Sequence, residues 1–300
     1  MPRFGPRFAI LTSVQQLVSV VVPVFNGMPH LVALTESLLA QTYPNLEIVF
    51  SEGGGSDSSA EYLSTIDDPR VRVISMPSGT SAAHNWTVAT MAAEGEFTKL
   101  ICQDDLITPT AIEEQVQDLV QNPAAVMAIA KRDIVDAHGN TLYRERGLAG
   151  LPGKSRSVSG ADLIRTCYLQ GTNVIGEPLA VLFRTDALKA AMPWQDGNPL
   201  MLDLSIYQRV APTGEVALRW ESVGAFRVST SSWSTRIARQ QIEQTKAWQE
   251  QYAVTATPPV TAAEKRRANL GRHKQVALRR SAYMLLRLKK SLASDQPTQD

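Results

Sequence analysis

Three hundred residues with 44% hydrophobic and 20% charged side chains exclude a disordered chain and suffice for one large α/β domain or two modest ones. The formal net charge of +1 hides an asymmetry, because residues 264–300 hold ten Lys or Arg against three acids, +7 in all, which leaves −6 on the preceding body; such a body is not a nucleic-acid binder along its whole face. Two distant cysteines, Cys102 and Cys167, exclude a disulfide framework and point to free thiols in a reducing, cytoplasmic compartment, and no run of 18 apolar residues offers a bilayer-spanning helix.

Residues 1–17 carry Arg3 and Arg7 ahead of an apolar stretch broken by Thr12, Ser13, Gln15 and Gln16, which reads as a flexible extension rather than a signal peptide. Residues 18–25 are a nearly continuous β-branched run, the pattern of a strand buried on both faces of a parallel sheet, and Pro23 should end it or bulge it. After the Asn26-Gly27 turn, Leu31, Leu34, Leu38 and Leu39 recur at helical spacing until Tyr43-Pro44 stops them. A second buried strand, 46–50, runs into Glu52 and three glycines, Gly53, Gly54 and Gly55. Those glycines either let backbone approach a ligand, with Glu52 accepting hydrogen bonds from it, or form a flexible turn. They have neither the Lys of a Walker loop nor the register of a dinucleotide fingerprint. A helix over 58–66, a strand over 71–76 and a helix over 82–93 continue the alternation.

The next strand, Lys99-Leu100-Ile101-Cys102, ends in Gln103 and two adjacent carboxylates, Asp104 and Asp105, with Thr108-Pro109 opening a helix over 109–121. Two acids side by side repel unless a cation lies between them, and the carboxyl end of a buried strand is where open α/β sheets bind ligands. The alternative is that the pair caps the following helix. Four strands alternating with helices make a parallel, right-handed, doubly wound half, whose edge should gather Phe25, Asn26, Glu52, the 78–85 loop and Asp104.

Beyond it come a strand over 126–134, a hairpin turn at 136–140 and a Gly-, Pro- and Arg-rich loop or flap over 141–157. Ser159 should cap a helix to Leu169, and residues 172–184 return as extended chain through Glu177-Pro178. Asp203 lies among hydrophobes, either as a helix cap or as a general base. Strand-rich residues 216–228 lead to a hydroxyl-rich loop with Trp233, a sugar-stacking platform or a core anchor, while Arg227 is a diphosphate contact or a surface charge. An amphipathic helix over 235–252, a Pro258-Pro259 linker and a basic amphipathic segment, 264–290, complete the chain. Such a segment lies on anionic lipid, packs on a partner or shows a solvated basic face.

Four stretches together resemble the family-2 glycosyltransferases, inverting nucleotide-sugar enzymes: residues 18–26, residues 39–49, residues 79–85 followed by 95–105, and residues 202–209. The resemblance implies a GT-A fold, a Rossmann-like, mostly parallel α/β sheet with flanking helices and here a C-terminal helical extension. It divides the chain into a nucleotide-sugar-binding half, 18–135, an acceptor-binding half, 136–254, and a linker with a basic helix, 255–300. It implies donor binding by Pro23, Phe25, Asn26, Glu52, Ser81, His84, Asn85, Gln103 and Asp104, and Mg2+ or Mn2+ on Asp104 and Asp105. Asp203 then takes the place of the catalytic base, with Glu177 and Trp233 toward the acceptor. The implied partners are a nucleoside-diphosphate sugar, first of all a UDP-sugar, and a glycan or lipid-linked acceptor, with no nucleic acid; the basic composition of 264–290, outside the resemblance, adds peripheral contact at the inner membrane face as an expectation. Two departures stand out: the first acid of the family's Asp-x-Asp is Cys102, and the pair of acids before the glycine turn is Glu52 and Gly53. The competing classes are a nucleotidyltransferase, for which residues 24–28 lack a basic side chain, and a catalytically degenerate sugar-nucleotide-binding protein.

Overall fold

The seven residues of β1 (Val18–Val24) are all buried, as a run of β-branched side chains between two helix layers requires. Val21 faces one core, while Val18, Val20, Val22 and Val24 face the other. The structure is a computed structural model describing residues 15–228 and 240–294. In it β1 pairs in parallel with β2 (Leu46–Glu52) and β4 (Phe97–Leu100), and β2 with β3 (Val71–Ser75). Across the sheet the order is β3-β2-β1-β4, then β9 (Val181–Arg184), β6 (Ala125–Val135), β10 (Glu215–Arg227) and β5 (Leu106–Ile107). β9 runs antiparallel to both neighbours and β6 parallel to β10. Two short antiparallel strands, β7 (Thr141–Arg146) and β8 (Ser157–Ser159), attach to β6 and β10.

Helices cover both faces. One core takes Leu31, Leu34 and Leu38 of α1 (His30–Leu39), Leu63 of α2 (Ser59–Ser64) and Ile112, Val116 and Leu119 of α4 (Ala111–Gln121). The other takes α3 (Ala82–Met91), α5 (Gly160–Gln170), α6 (Thr185–Ala190), α7 (Leu202–Val210) and α8 (Gln241–Thr255).

Several local expectations are corrected. Pro23 neither ends nor bulges β1, because the ladder to β4 stops at Val21–Leu100 and leaves no acceptor waiting for the N–H that proline lacks. The 141–157 flap contains β7, and residues 172–184 are strand only from Val181 onward. Ser159 precedes α5 without a side-chain capping bond. The hydroxyl-rich loop with Trp233 lies outside the described residues, as do residues 1–14 of the N-terminal extension.

Lys99 is fully buried in β4, where its Nζ donates to Gln115 Oε1 on α4 and to the carbonyls of Leu179 and Val181. Burial pushes its pKa down to about 7, while three acceptors match the three N–H bonds of the ammonium form. The contacts tie α4 and β9 to the strand whose end carries the acid pair.

The linker and basic helix expected from residue 255 onward are packed on the body over their first turns. The first turns of α9 (Ala262–Ser294) pack on α5 and α8: Ala268 is buried, Gln249 Nε2 donates to its carbonyl at 3.1 Å, and a Cβ at Gly271 would stand 2.6 Å from Leu169 O. Thr261 and Glu264 form a capping box, Thr261 N donating to Glu264 Oε2 at 2.9 Å and Glu264 N to Thr261 Oγ1 at 3.2 Å. Arg165 of α5 grips the same carboxylate with two N–H groups, at 2.7 and 2.8 Å. The Arg165 guanidinium, then the Thr261 N–H, hold the Glu264 pKa down from the ordinary 4.5 to about 2. A depressed acid stabilises the fold above its unfolded pKa and loses that contribution as pH falls through the folded value. Glu264→Gln should therefore melt below wild type at pH 6, and the gap in Tm should close as pH is lowered from 4.5 toward 2, measured by circular dichroism.

Candidate active site

The carboxyl ends of β1, β2 and β4 form one edge, and the side chains there mostly build it. Gln103 stitches the segment after β4 to the tip of β1: its Oε1 accepts from Phe25 N at 2.6 Å and its Nε2 donates to Phe25 O at 2.8 Å. The Phe25 ring beyond is 51% exposed. Asn26 takes a left-handed conformation, φ 52°, which Asn tolerates, and its Oδ1 accepts from Ser56 N at 2.7 Å. Glu52, 6% exposed, accepts from Gly54 N at 3.0 Å and Gly55 N at 2.9 Å. Gly54 has φ 71° and a Cβ there would stand 2.5 Å from Ser78 N, so the glycine is required by both conformation and space. Asn85 is buried, accepting from Ser51 Oγ at 2.5 Å and donating to Val24 O at 3.1 Å. Ser81 caps α3 and donates to Asp196 Oδ2 at 2.7 Å, while Asp196 Oδ1 accepts from Ala83 N at 3.2 Å. His84 lies exposed on the first turn of α3.

The acid pair does not cap α4, since β5 separates them. Asp105 is fully buried; its Oδ1 accepts from Arg227 N at 3.2 Å, and its Oδ2 has no hydrogen-bond partner. Asp104 is less enclosed. Arg227, expected at the diphosphate or on the surface, is buried instead, its guanidinium donating to the carbonyls of Asp104 at 2.9 Å and Ala137 at 3.2 Å. Burial raises the pKa of Asp104, opposed by the charges of His30 and Arg227. Asp105 is raised well above the usual carboxylate range by burial and then by the charge of Asp104.

Asp203 sits in the first turn of α7, whose N-cap is Met201, so it is not the cap. Its Oδ2 accepts from Asn173 Nδ2 at 2.8 Å and its Oδ1 from Leu204 N at 2.7 Å. One turn on, the hydroxyl of the fully buried Tyr207 has no hydrogen-bond partner, and the charges of Asp203 and Glu177 add to burial in raising its pKa. Glu177, expected toward the acceptor, is ion-paired with Arg132, whose guanidinium packs against Gly147 and Gly176. At Cys102 burial first, then the charges of Asp105, Asp104, Asp203 and Glu177, push the thiol pKa well up. Four carboxylates contributed by three separate segments thus bear on one side chain at the end of β4.

Among the described residues, no three His, Cys, Asp or Glu side chains are grouped to hold a metal ion. One open carboxylate at Asp104 and the unpartnered oxygen of Asp105 fit a hydrated Mg2+ or Mn2+ that takes its remaining ligands from phosphate and water, the way Mg2+ is commonly held.

The model of glycosyl transferase family 2 matches residues 19–189, more than half of the chain. The chain belongs to glycosyltransferase family 2. Among relatives, "Glycosyltransferase GlyG" of Streptococcus pneumoniae is 31% identical over 134 residues, 44% of each chain, and the succinoglycan biosynthesis protein ExoO of Rhizobium meliloti is 29% identical over 139 residues, 45% of this chain and 39% of that one. The chain thus spans less than half the length of these two relatives. Among solved structures, Staphylococcus aureus TarS 1-349 in complex with UDP-GlcNAc superposes with TM-score 0.60 at 17% identity, over 86% of this chain and 72% of TarS. The mannosyltransferase PcManGT of Pyrobaculum calidifontis, in complex with GDP-Man and Mn2+, gives 0.58 at 16% identity, over 94% and 81%. These neighbours share the GT-A fold with this family-2 member.

Sequence reasoning missed Arg132, Asn173, Asp196, Tyr207 and His30. Three charged residues in a row, Lys131, Arg132 and Asp133, in the otherwise apolar strand at 125–135 were a signal shared by Arg132 with its neighbours, and the i, i+4 spacing of Asp203 and Tyr207 placed both on one helix face. Asp196 and Asn173 lie in loops and had none. Asn85→Ala should leave the buried Ser51 hydroxyl without its partner and cost ~1–3 kcal/mol of unfolding free energy in a urea titration.

Proposed function

We propose that the chain is an inverting glycosyltransferase that moves a sugar from a nucleoside-diphosphate sugar, a UDP-sugar in first place, to a hydroxyl of a glycan or lipid-linked acceptor. The observation that carries the reading is the acid pair at the sheet's carboxyl edge, where Asp105 is fully buried with one oxygen unpartnered and Asp104 stands beside it. Family membership supports it, as do fold neighbours in complex with UDP-GlcNAc and GDP-Man.

In this reading the exposed Phe25 ring stacks on the nucleobase, and Glu52 fixes the glycine turn beside it. Asp104 and Asp105 are the residues that would hold Mg2+ or Mn2+ together with the donor's diphosphate. When bound, the ion offsets negative charge on the departing diphosphate. Asp203, oriented by Asn173, accepts the proton of the acceptor hydroxyl, whose oxygen attacks the anomeric carbon from the face opposite the diphosphate. One bond forms as the bond to phosphate breaks, so the anomeric centre inverts. Glu177, and Trp233 outside the described residues, are assigned to acceptor binding. The two free thiols accord with a reducing, cytoplasmic setting.

Against a nucleotidyltransferase stands the tip of β1, where Phe25, Asn26 and Gly27 offer no cation for a triphosphate. Asp203→Asn should lower kcat by ~10²–10⁴-fold while donor affinity survives, since general-base help has about that worth; unchanged turnover removes Asp203 from the role. Asp104→Ala should abolish the Mn2+-dependent part of UDP-sugar binding in calorimetry. Equal binding by wild type with and without EDTA would contradict the metal assignment.

A further inference from the structure

α9 has one face spent on the protein and one left over. Ala268, Gly271, Arg272 and Val276 make up the docked side, against α5, the Gly171 turn and α8. Away from it Leu270 is 71% exposed, and Leu278, at the flank of the docked side seven positions on from Gly271, is 54% exposed, with Arg266, Arg267 and Lys274 exposed around them. The sequence beyond the docked turns again holds apolar residues, Met284, Leu285, Leu286 and Leu288. Basic residues accompany it throughout, ten Lys or Arg against the single acid Glu264 between 264 and 294, a net +9. Among the described residues no helix is long and apolar enough to cross a membrane.

An apolar stripe bordered by cations on a helix anchored along its other face is suited to lie in the plane of a lipid interface, its leucines among acyl chains and its cations among headgroups. We propose that the free face of α9 docks this protein on an anionic phospholipid surface. Charge decides against the other occupants. A second copy laid face to face would set +9 against +9, and a nucleic-acid backbone would satisfy the cations but leave the leucine stripe without an apolar partner. The anchored turn also has a place in the site: Gly171, against which Arg272 packs, opens the loop carrying Asn173, the hydrogen-bond partner of Asp203. The helix that would rest on lipid is therefore packed, by its other side, on the segment that carries Asn173. The docking itself stands independently of the sugar-transfer reading.

The test is co-sedimentation of the full chain with phosphatidylcholine vesicles and with mixed phosphatidylcholine–phosphatidylglycerol vesicles. Binding is expected to the mixed vesicles alone, weakening as salt is raised. Arg266→Glu with Lys274→Glu should lower vesicle affinity by about fivefold or more per position. Leu270→Asp with Leu278→Asp should lower it at least as far, with the melting temperature and UDP-sugar binding unchanged because both leucines are exposed and remote from the acid pair. Equal binding to neutral vesicles, no binding to either, or full binding by the leucine variant overturns the proposal. So does a dimer that the leucine variant dissociates, or retention on duplex DNA with none on the mixed vesicles.

Discussion

Burying carboxylates at the end of a sheet strand is the constraint around which this molecule is arranged. An isolated charge taken out of water costs several kcal/mol, so Asp105 must be neutral, paired or held near a cation. Arg227 meets part of that demand from the end of β10, giving its backbone N–H to Asp105 while its guanidinium holds the Asp104 carbonyl. The antiparallel pairing of β10 with β5 at Gly224 and Ala225 sets Arg227 beside the acid pair that precedes β5. The remaining deficit, an Asp105 oxygen without a partner, marks the place where a positive group improves the site.

Most polar residues of the edge act on backbone. Gln103 fixes the tip of β1, Glu52 fixes the glycine turn, Asn85 braces β1 and β2, and Ser81 with Asp196 closes the start of α3. A site made this way is preorganised, because these side chains tie the backbone segments of the edge to one another. Asp203 belongs to the same scheme, its orientation set by Asn173 from the loop behind α5.

Much of the fold was legible because burial imposes period. Val18 to Val24 read as a strand buried on both sides, and Leu31, Leu34 and Leu38 as one face of a helix, from spacing alone. The acid pair stood out because two adjacent carboxylates follow an apolar run. Less legible was the role of each polar side chain: Asn85, Gln103 and Ser81 bond to partners whose identity spacing does not reveal. The T-x-x-E capping box at Thr261 and Glu264 was readable from sequence, whereas the Arg165 that grips Glu264 comes from 99 residues earlier.

By itself the sequence determined the alternation of strands and helices, the acids at the end of the fourth strand and the basic tail, since each is a local property of spacing or composition. Only the tertiary structure decided that Arg227 reaches back 123 residues to Asp104, that Asp196 crosses 113 residues to α3, and that Arg132 pairs with Glu177. Those contacts depend on how loops close and where strand ends fall. Neither residue type nor period encodes that geometry, and packing alone selects it.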